Sequence, residues 1–195
     1  IIGIAGATGA GKGEFAKTLL ALGWRRVAHG DAVKEEVASF CRKTLVAHML
    51  SRMPAFAGGA PPWEDSFWTP MIHDLLWEHR DDVSRAILQE WGMMRRAADP
   101  DYWVAEWRRR VEATPGDVVA DNVRFDNECR AVRDLGGTLV KIERPGSTPP
   151  QLAADDPTER GLSEWDDWDL IIQNTGSLKD LDATARHVVS LISAP

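Results

Sequence analysis

The fold of this chain is decided by the stretch IIGIAGATGAGKGEFAKTLL, residues 1–20. Ile1 to Ala5 form a short run rich in β-branched residues, which predicts a strand. A glycine-rich turn follows, and after Lys12 the spacing of Phe15 and Leu19 indicates an amphipathic helix. A strand that passes through a glycine loop into a helix is the opening of a βαβ unit.

The turn has the spacing Gly-x-x-x-x-Gly-Lys of a phosphate-binding loop over Gly6 to Lys12. Its glycines allow backbone conformations and close approaches that a Cβ would block, so successive N–H groups can converge on phosphate oxygens. Lys12 adds a mobile positive charge, and the helix that begins there directs the positive end of its dipole at a bound anion. We therefore predict that ATP phosphates are bound by Gly6, Gly9, Ala10, Gly11, Lys12, Gly13 and Glu14.

Strands and helices alternate along the rest of the chain. Further strands are predicted over residues 24–28, 118–120, 138–142 and 170–172. Helices are predicted over residues 32–49, over 72–97 with an interruption at Gly92, over 102–112, from Asp126 as a cap to residue 136, and from Ser177 and Asp180, which have capping-box spacing, to the C-terminus. This order favours an α/β fold in which helices cover both faces of a parallel sheet and ligands bind at the carboxyl ends of the strands.

Composition narrows the class of protein. With 195 residues, 44% of them hydrophobic, the chain can form one globular domain, residues 1–195. The net charge of −7 gives no overall basic footprint for a nucleic-acid polymer or an anionic membrane, and no apolar run reaches the length of a membrane span. The two cysteines and five histidines show neither metal-ligand spacing nor a paired nucleophile, which argues against zinc sites and hydrolases. We expect a soluble, cytoplasmic protein with reduced thiols.

Five stretches beyond the loop occur in a fixed order. They are RAILQEWGMMRR at residues 85–96, DYW at 101–103, VVADNVRFDNE at 118–128, LVKIERPG at 139–146, and SE at 163–164 followed by DLIIQNTGSL at 169–178. Together with the loop, this set resembles the phage-type deoxynucleoside monophosphate kinases. Gly13 stands where many phosphate loops have a magnesium-binding Ser or Thr, and Gly-Lys-Gly resembles adenylate-kinase-like enzymes, whose magnesium is largely water-coordinated.

The resemblance implies a three-layer P-loop kinase fold of about five parallel strands flanked by helices. It also implies a mainly helical, monophosphate-binding insert over residues 32–112 and a lid-like segment over 145–168. The implied reaction is phosphorylation of deoxynucleoside 5′-monophosphates, with ATP as co-substrate and Mg²⁺ as cofactor. The expected partners are small-molecule nucleotides rather than nucleic acid or membrane, with a homodimer as the compatible assembly. If the chain is phage-encoded, the host cytoplasm is its expected location.

Phosphoryl transfer needs positioning and cationic stabilisation rather than a protein nucleophile, so arginines and acids at strand ends are the candidate site residues. Arg124 opens the loop after an apolar strand, and Asp121 ends that strand, where an acid holds magnesium through water or else braces the loop. The predicted catalytic set is Lys12, Asp121, Arg124 and Arg160. The predicted substrate-binding set is Asp31, Arg85, Gln89, Arg95, Arg96, Arg124 and Arg144, and the resemblance places Asn174, Gly176 and Ser177 beside the adenine.

The chain departs from the family pattern at two places. Asn122 stands where the family has an aspartate directly before Val-Arg-Phe, and Gly161-Leu162 stands where a histidine precedes Ser-Glu. These departures leave open a nucleotide-binding protein that does not catalyse transfer. Another small-molecule P-loop kinase, such as a dephospho-coenzyme A kinase, is the alternative among enzymes. The accepted bases are also left open, because pocket shape rather than a motif determines them.

Overall fold

The computed structural model describes residues 1–52, 72–78, 81–147, 162 and 164–192. The chain divides into two compact units. The first comprises Ile1–His29 and Val104–Pro195, and the second comprises Gly30–Trp103. A single domain with an insert over 32–112 and a lid over 145–168 stays a prediction, and residues 148–161 of that lid lie outside the described residues.

The first unit is built on a five-stranded sheet in which all neighbouring strands are parallel. In spatial order the strands are β2 (Arg25–Arg26), β3 (Val118–Ala120), β1 (Ile2–Ala5), β4 (Thr138–Glu143) and β5 (Leu170–Gln173). The central strands β1 and β3 are buried throughout, which is why they consist of apolar residues without polar alternation. The predicted strand over residues 24–28 is shorter than expected, because only two of its residues pair with β3.

Helices cover both faces of this sheet. Ile2 and Ile4 of β1 pack on one face with α1 (Lys12–Ala21) and α6 (Leu178–Ile192), through Phe15, Leu19, Leu181, Ala185 and Val188. Ala5 lies on the opposite face, with α4 (Tyr102–Ala113) and α5 (Asp126–Asp134), through Trp107, Val111, Cys129, Ala131 and Val132. The alternation along β1 follows from the two-residue period of a strand. The predicted α/β fold with helices on both faces is confirmed.

Two helix ends of the first unit test the predicted caps. At the start of α6, the Ser177 N–H and hydroxyl donate to Asp180 Oδ2 at 2.8 and 2.7 Å, which confirms the capping box. These hydrogen bonds lower the pKa of Asp180. The prediction that Asp126 caps α5 is wrong, because Asp126 lies within the first turn and the buried Glu128 instead accepts from the N–H of Arg124 at 2.8 Å.

The second unit is helical. Its helices are α2 (His29–Arg52), which begins at the last residue of the first unit, a π-helical turn (Asp74–Glu78), α3 (Asp82–Ala98) and the first turn of α4. Its core is formed by Val37, Ile72 and Leu76, against which Leu88 and Trp91 pack. Among the described helices, none is both long and apolar enough to cross a membrane.

The predicted interruption of the third helical stretch at Gly92 is wrong. Gly92 lies inside α3, where its carbonyl oxygen accepts from Trp103 Nε1 at 3.0 Å and a Cβ would lie 4.0 Å from Val33. The helix instead begins anew after Asp81, whose side chain accepts from the N–H of Ser84 at 2.7 Å. A capping carboxylate strongly favours a helix start at its position, whereas one internal glycine only weakly destabilises a helix.

Candidate active site

The phosphate loop joins the carboxyl end of β1 to the start of α1. Gly6, Gly9 and Gly11 have φ of 144°, 82° and 105°, which are left-handed values that favour glycine. A Cβ on Gly6 would lie 2.3 Å from the carbonyl oxygen of Ile142, and one on Gly11 would lie 2.6 Å from Asn174 Nδ2. Two of the predicted glycines are therefore required by packing as well as by backbone conformation.

Lys12 is the first residue of α1, and its side chain extends back over the loop. Its Nζ donates to the carbonyl oxygens of Gly6 at 2.6 Å and Ala7 at 2.8 Å. These carbonyls hold the ammonium group beside the loop, where it can exchange them for phosphate oxygens, which are stronger acceptors because they carry charge. Glu14, by contrast, pairs with the exposed Lys17 at 2.7 Å on the outer side of the helix.

Asn174 braces the phosphate loop from β5, which is separated from β1 by β4. It directly follows β5 and is buried, its backbone N–H donates to Glu143 O at 2.7 Å, and its Nδ2 donates to Ala10 O at 2.8 Å. This second bond spans 164 positions of sequence and fixes the middle of the loop to the sheet. The adenine-side role of Asn174, Gly176 and Ser177 stays a prediction, and the observed contacts of Asn174 and Ser177 are with the loop and with the cap of α6.

Asp121 directly follows β3, the strand beside β1, and its carboxylate lies between protein groups rather than in bulk water. Its Oδ2 accepts from Arg26 Nε at 2.9 Å, and its side chain is 15% exposed. Its Oδ1 is shielded from solvent and has no hydrogen-bond partner among the described residues. The carboxylate is thus oriented by Arg26 through one oxygen, while the other has no donor.

The predicted ligand for Mg²⁺ at this edge is the carboxylate of Asp121. No group of three or more His, Cys, Asp or Glu that could hold a metal occurs in the described part of the chain. Mg²⁺ keeps most of its waters and is commonly held by one or two carboxylates together with substrate phosphates. One carboxylate with a shielded, unbonded Oδ1 fits a metal held in that way.

Asn122, one of the two departures from the family pattern, has a structural contact. Its Oδ1 accepts from the backbone N–H of His29 at 2.9 Å, which joins the end of β3 to the start of α2. The His29 ring stacks on Trp107 with centroids 4.3 Å apart, and Trp107 Nε1 donates to Val27 O at 2.9 Å. An amide oxygen and a carboxylate oxygen can both accept the His29 bond, so asparagine preserves this contact. Gly161, the other departure, lies outside the described residues.

Two predicted arginines follow strands of the same sheet, so they lie at its carboxyl edge with the loop. Arg124 is half-buried, and its backbone is fixed by the bond to Glu128. Arg144 directly follows β4, is exposed, and its carbonyl accepts from the N–H and hydroxyl of Ser147 at 3.0 and 2.6 Å in a turn. Arg160 lies outside the described residues, so its predicted role stays a prediction.

The remaining predicted substrate residues belong to the second unit. Arg85, Gln89 and Arg96 are separated by four and seven positions on α3, so at 3.6 residues per turn they share one face of the helix. Asp31 lies in the first turn of α2 and pairs with Lys34 at 3.6 Å, and its predicted contact with substrate stays a prediction. The helix therefore presents two guanidinium groups and one amide along a single line.

The guanidinium group of Arg95, the remaining predicted residue of α3, is held by Glu36 of α2. Glu36 Oε1 accepts from Arg95 Nε at 2.8 Å and from Trp91 Nε1 at 3.1 Å, and its Oε2 accepts from Tyr102 OH at 3.0 Å. The hydrogen bond to Glu36 raises the pKa of Arg95. Glu36 thus joins three helices of this unit, and the predicted contact of Arg95 with substrate stays a prediction.

Sequence reasoning missed Arg26 and Glu36. Arg26 lies 95 positions from Asp121, and Glu36 lies 59 positions from Arg95. Neither belongs to a motif, and charged residues on a short edge strand and on a helix are ordinary surface residues by pattern. A signal for either contact requires the strand order or the helix packing.

Known proteins were compared with the chain and its fold. A family model described as deoxynucleotide monophosphate kinase matches residues 67–185. A protein of Acanthamoeba polyphaga mimivirus, assigned by name only as a deoxynucleotide monophosphate kinase, is 37% identical over 65 residues, which is 32% of this chain and 31% of the viral protein. The fold is similar to that of dephospho-CoA kinase from Campylobacter jejuni, with a TM-score of 0.50, 14% identity, and coverage of 98% of this chain and 96% of that chain. At that identity the likeness concerns the fold alone.

Proposed function

We propose a reaction from one premise: this chain belongs to the deoxynucleotide monophosphate kinase family. It is therefore a phosphotransferase, and its substrate pair is inferred to be ATP and a deoxynucleoside 5′-monophosphate. The observation that carries the proposal is the loop from Gly6 to Lys12, with three glycines at positive φ and an ammonium group beside them. This loop precedes residues 67–185, which the family model matches, so the two supports are independent.

The proposed step exchanges one phosphorus–oxygen bond for another. A phosphate oxygen of the monophosphate attacks the γ-phosphorus of ATP, and the bond from that phosphorus to the β,γ-bridging oxygen breaks. The bond electrons remain on ADP, and the product is the deoxynucleoside diphosphate. Because charge spreads over the transferring oxygens, the enzyme contributes mainly positioning and cationic stabilisation.

In this proposal, the roles of the side chains follow from their positions. Lys12 and the N–H groups of the loop bind the β- and γ-phosphates, and Arg124 at the sheet edge binds the transferring group. The face of α3 that carries Arg85, Gln89 and Arg96 binds the monophosphate and its base, because guanidinium groups recognise phosphate and an amide can pair with a base edge. Mg²⁺, held through water by Asp121, would neutralise charge on the phosphates.

The test is a coupled assay of ADP formation with ATP and Mg²⁺. The acceptor panel is dTMP, dGMP, dCMP, dAMP and dephospho-coenzyme A. We expect ADP to form only when a deoxynucleoside monophosphate is added, in equal amount to the diphosphate detected by ³¹P NMR. If ADP forms with dephospho-coenzyme A and with none of the monophosphates, the chain is a dephospho-coenzyme A kinase instead.

Binding of ATP without turnover on any acceptor would instead support the non-catalytic alternative. The contact of Asn122 with His29 gives this departure a structural role and is compatible with either outcome. The cytoplasmic location and the homodimer stay predictions, and gel filtration at the assay concentration tests the second.

A further inference from the structure

Arg26 is a residue that the proposed mechanism does not use. It ends β2, an edge strand of two residues, and is level with Val119 in the register of the sheet. Its side chain reaches forward along the sheet to Asp121, where Nε donates to Oδ2 at 2.9 Å. The Arg26 guanidinium group therefore contacts the carboxylate that we propose binds hydrated magnesium.

The energetics of this contact favour orientation over stability. The Arg26 side chain is 35% exposed, and an ion pair so close to water contributes little to folding. The geometric effect is larger, because a donor on Oδ2 fixes the rotation of the carboxylate and occupies one of its oxygens. Oδ2 then has one lone pair engaged by Arg26, so Oδ1 is the oxygen that keeps both lone pairs for a further partner.

The remaining oxygen, Oδ1, indicates what binds there. A shielded carboxylate oxygen without a donor is energetically unfavourable, and such groups in native proteins call for a bound partner as explanation. A carboxylate oxygen needs a donor, and the phosphates of ATP are acceptors only. The water molecules on the Mg²⁺ that accompanies ATP are donors, and their hydrogen bonds to a carboxylate strengthen with the charge of the metal.

We propose that Arg26 is a positioning residue, which holds the Asp121 carboxylate so that Oδ1 accepts a hydrogen bond from water bound to Mg²⁺. The inference rests on the proposed function, since ATP brings the metal. Arg26 itself touches neither nucleotide nor metal in this arrangement. Its contribution is to metal affinity in the nucleotide complex.

The test measures metal affinity without turnover. Mn²⁺ is titrated into the protein with a non-hydrolysable ATP analogue and followed by electron paramagnetic resonance, for wild type, Arg26→Ala, Arg26→Lys and Asp121→Asn. Arg25→Ala is the matched control, because Arg25 is exposed on the same strand and precedes the residue under test. Melting temperatures and the Mg²⁺ dependence of kcat and KM are measured in parallel.

We expect Arg26→Ala and Asp121→Asn to raise the Kd for Mn²⁺ by about 10-fold or more, as for other residues that orient metal-bound groups. Arg26→Lys should restore part of the affinity, and Arg25→Ala should not change it. In the double variant Arg26→Ala/Asp121→Asn the two losses of Mn²⁺ affinity should not add, since both substitutions remove the same interaction. The inference would be overturned if folded Arg26→Lys and Arg26→Ala both bind Mn²⁺ with a Kd within about twofold of wild type. It would also be overturned if the substitutions change only the KM of the monophosphate, or only the melting temperature.

If Arg26→Ala does not fold, Arg26→Lys takes its place. The Mn²⁺ affinities of Arg26→Lys and of the double variant Arg26→Lys/Asp121→Asn then decide the question. Failure of the proposed function is distinguished by the wild type, which would then bind Mn²⁺ and nucleotide without forming ADP on any acceptor.

Discussion

At the scale of single residues, the ammonium group of Lys12 is preorganised by two carbonyl oxygens of its own loop. Such a group needs little rearrangement to meet a phosphate, and its charge counts for more in the transition state than in water. The same contacts have little to do with folding, because the lysine lies at a helix start rather than in the core. A substitution there separates catalysis from stability.

Lys12→Ala should lower kcat at least ~100-fold, the effect of removing one preorganised stabilising group of ~2.7–4 kcal/mol. Steady-state kinetics with saturating ATP measures it, and thermal unfolding should show a native melting temperature. Lys17→Ala is the control, because Lys17 lies on the same helix with a side chain that is 70% exposed and paired with Glu14. Equal kinetics for Lys12→Ala and Lys17→Ala would contradict the role of the loop.

Arg124→Lys should lower kcat/KM by ~10–100-fold, because lysine keeps the charge but loses the planar fork, and bonds to charged groups contribute ~1.5–3 kcal/mol each. Arg130→Lys is its control, since Arg130 is an exposed residue of α5 whose carboxylate partner, Asp126, is on the same helix. Kinetics with the accepted monophosphate measures both variants. If Arg124 contacts only solvent, the two will not differ.

At the scale of elements, the sheet presents the loop through a brace from β5. Asn174→Leu keeps the side-chain size but leaves Ala10 O without its donor, which should cost ~1–3 kcal/mol of unfolding free energy. Because the loop is then less fixed, ATP should bind more weakly, with a larger effect on its Kd than on the Kd of the monophosphate. Denaturant unfolding and nucleotide titration measure the two effects.

Gln173→Leu provides the comparison for that variant. Gln173 is the preceding residue, and its exposed side chain donates to Glu143 at 2.6 Å rather than to the loop. It should change neither quantity appreciably. A loss of ATP affinity as large as that of Asn174→Leu would assign the effect to β5 in general rather than to the brace.

The sequence predicted the strands, most of the helices and the phosphate loop, because each depends on residues within one turn or one strand. The apolar run of β3 and the capping box of α6 are local patterns of that kind. It did not predict the two-residue length of β2, which depends on how much of β3 is available for pairing. Nor did it predict that Gly92 would remain helical, since the hydrogen bond from Trp103 to the Gly92 carbonyl oxygen comes from another helix.

The site shows the same division. The loop follows from one motif, whereas the contact of Arg26 with Asp121 requires β2 to lie beside β3, and that of Asn174 with Ala10 requires β5 to lie on the far side of β4. The residues in these two contacts lie 95 and 164 positions apart in the chain, so the contacts follow only from the order of the strands in the sheet.

At the scale of the whole molecule, the core contains a thiol that affects stability at alkaline pH. Burial, followed by the charges of Glu128 and Asp126, raises the pKa of Cys129 from 9.0 to about 12. In the unfolded chain the thiol ionises near its ordinary value, whereas in the folded chain it stays neutral. Stability from this group is therefore complete below pH ~9 and is lost as pH rises through the folded pKa.

Between these two values, the unfolding free energy should fall by ~1.4 kcal/mol per pH unit through Cys129 alone. Denaturant unfolding of wild type and Cys129→Ala from pH 8 to 10.5 measures it, since the difference in slope removes the contribution of lysines and tyrosine. At pH 8 Cys129→Ala will be less stable because it leaves a cavity. Parallel slopes for the two proteins would show that the thiol ionises normally in the fold.

The contacts of His29 and Trp107 have a consequence for the changes in sequence length that the first unit can tolerate. The chain leaves the first unit after His29 and returns at Val104, and both ends are fixed by contacts internal to that unit, the ring stack and the bond from Trp107 to Val27. The intervening segment is thus an excursion whose closure entropy grows only with the logarithm of its length. Insertions, deletions or wholesale exchange between the two anchors carry a small thermodynamic penalty. Recombination between related genes could therefore exchange the segment Gly30–Trp103 and leave the fold of the first unit intact.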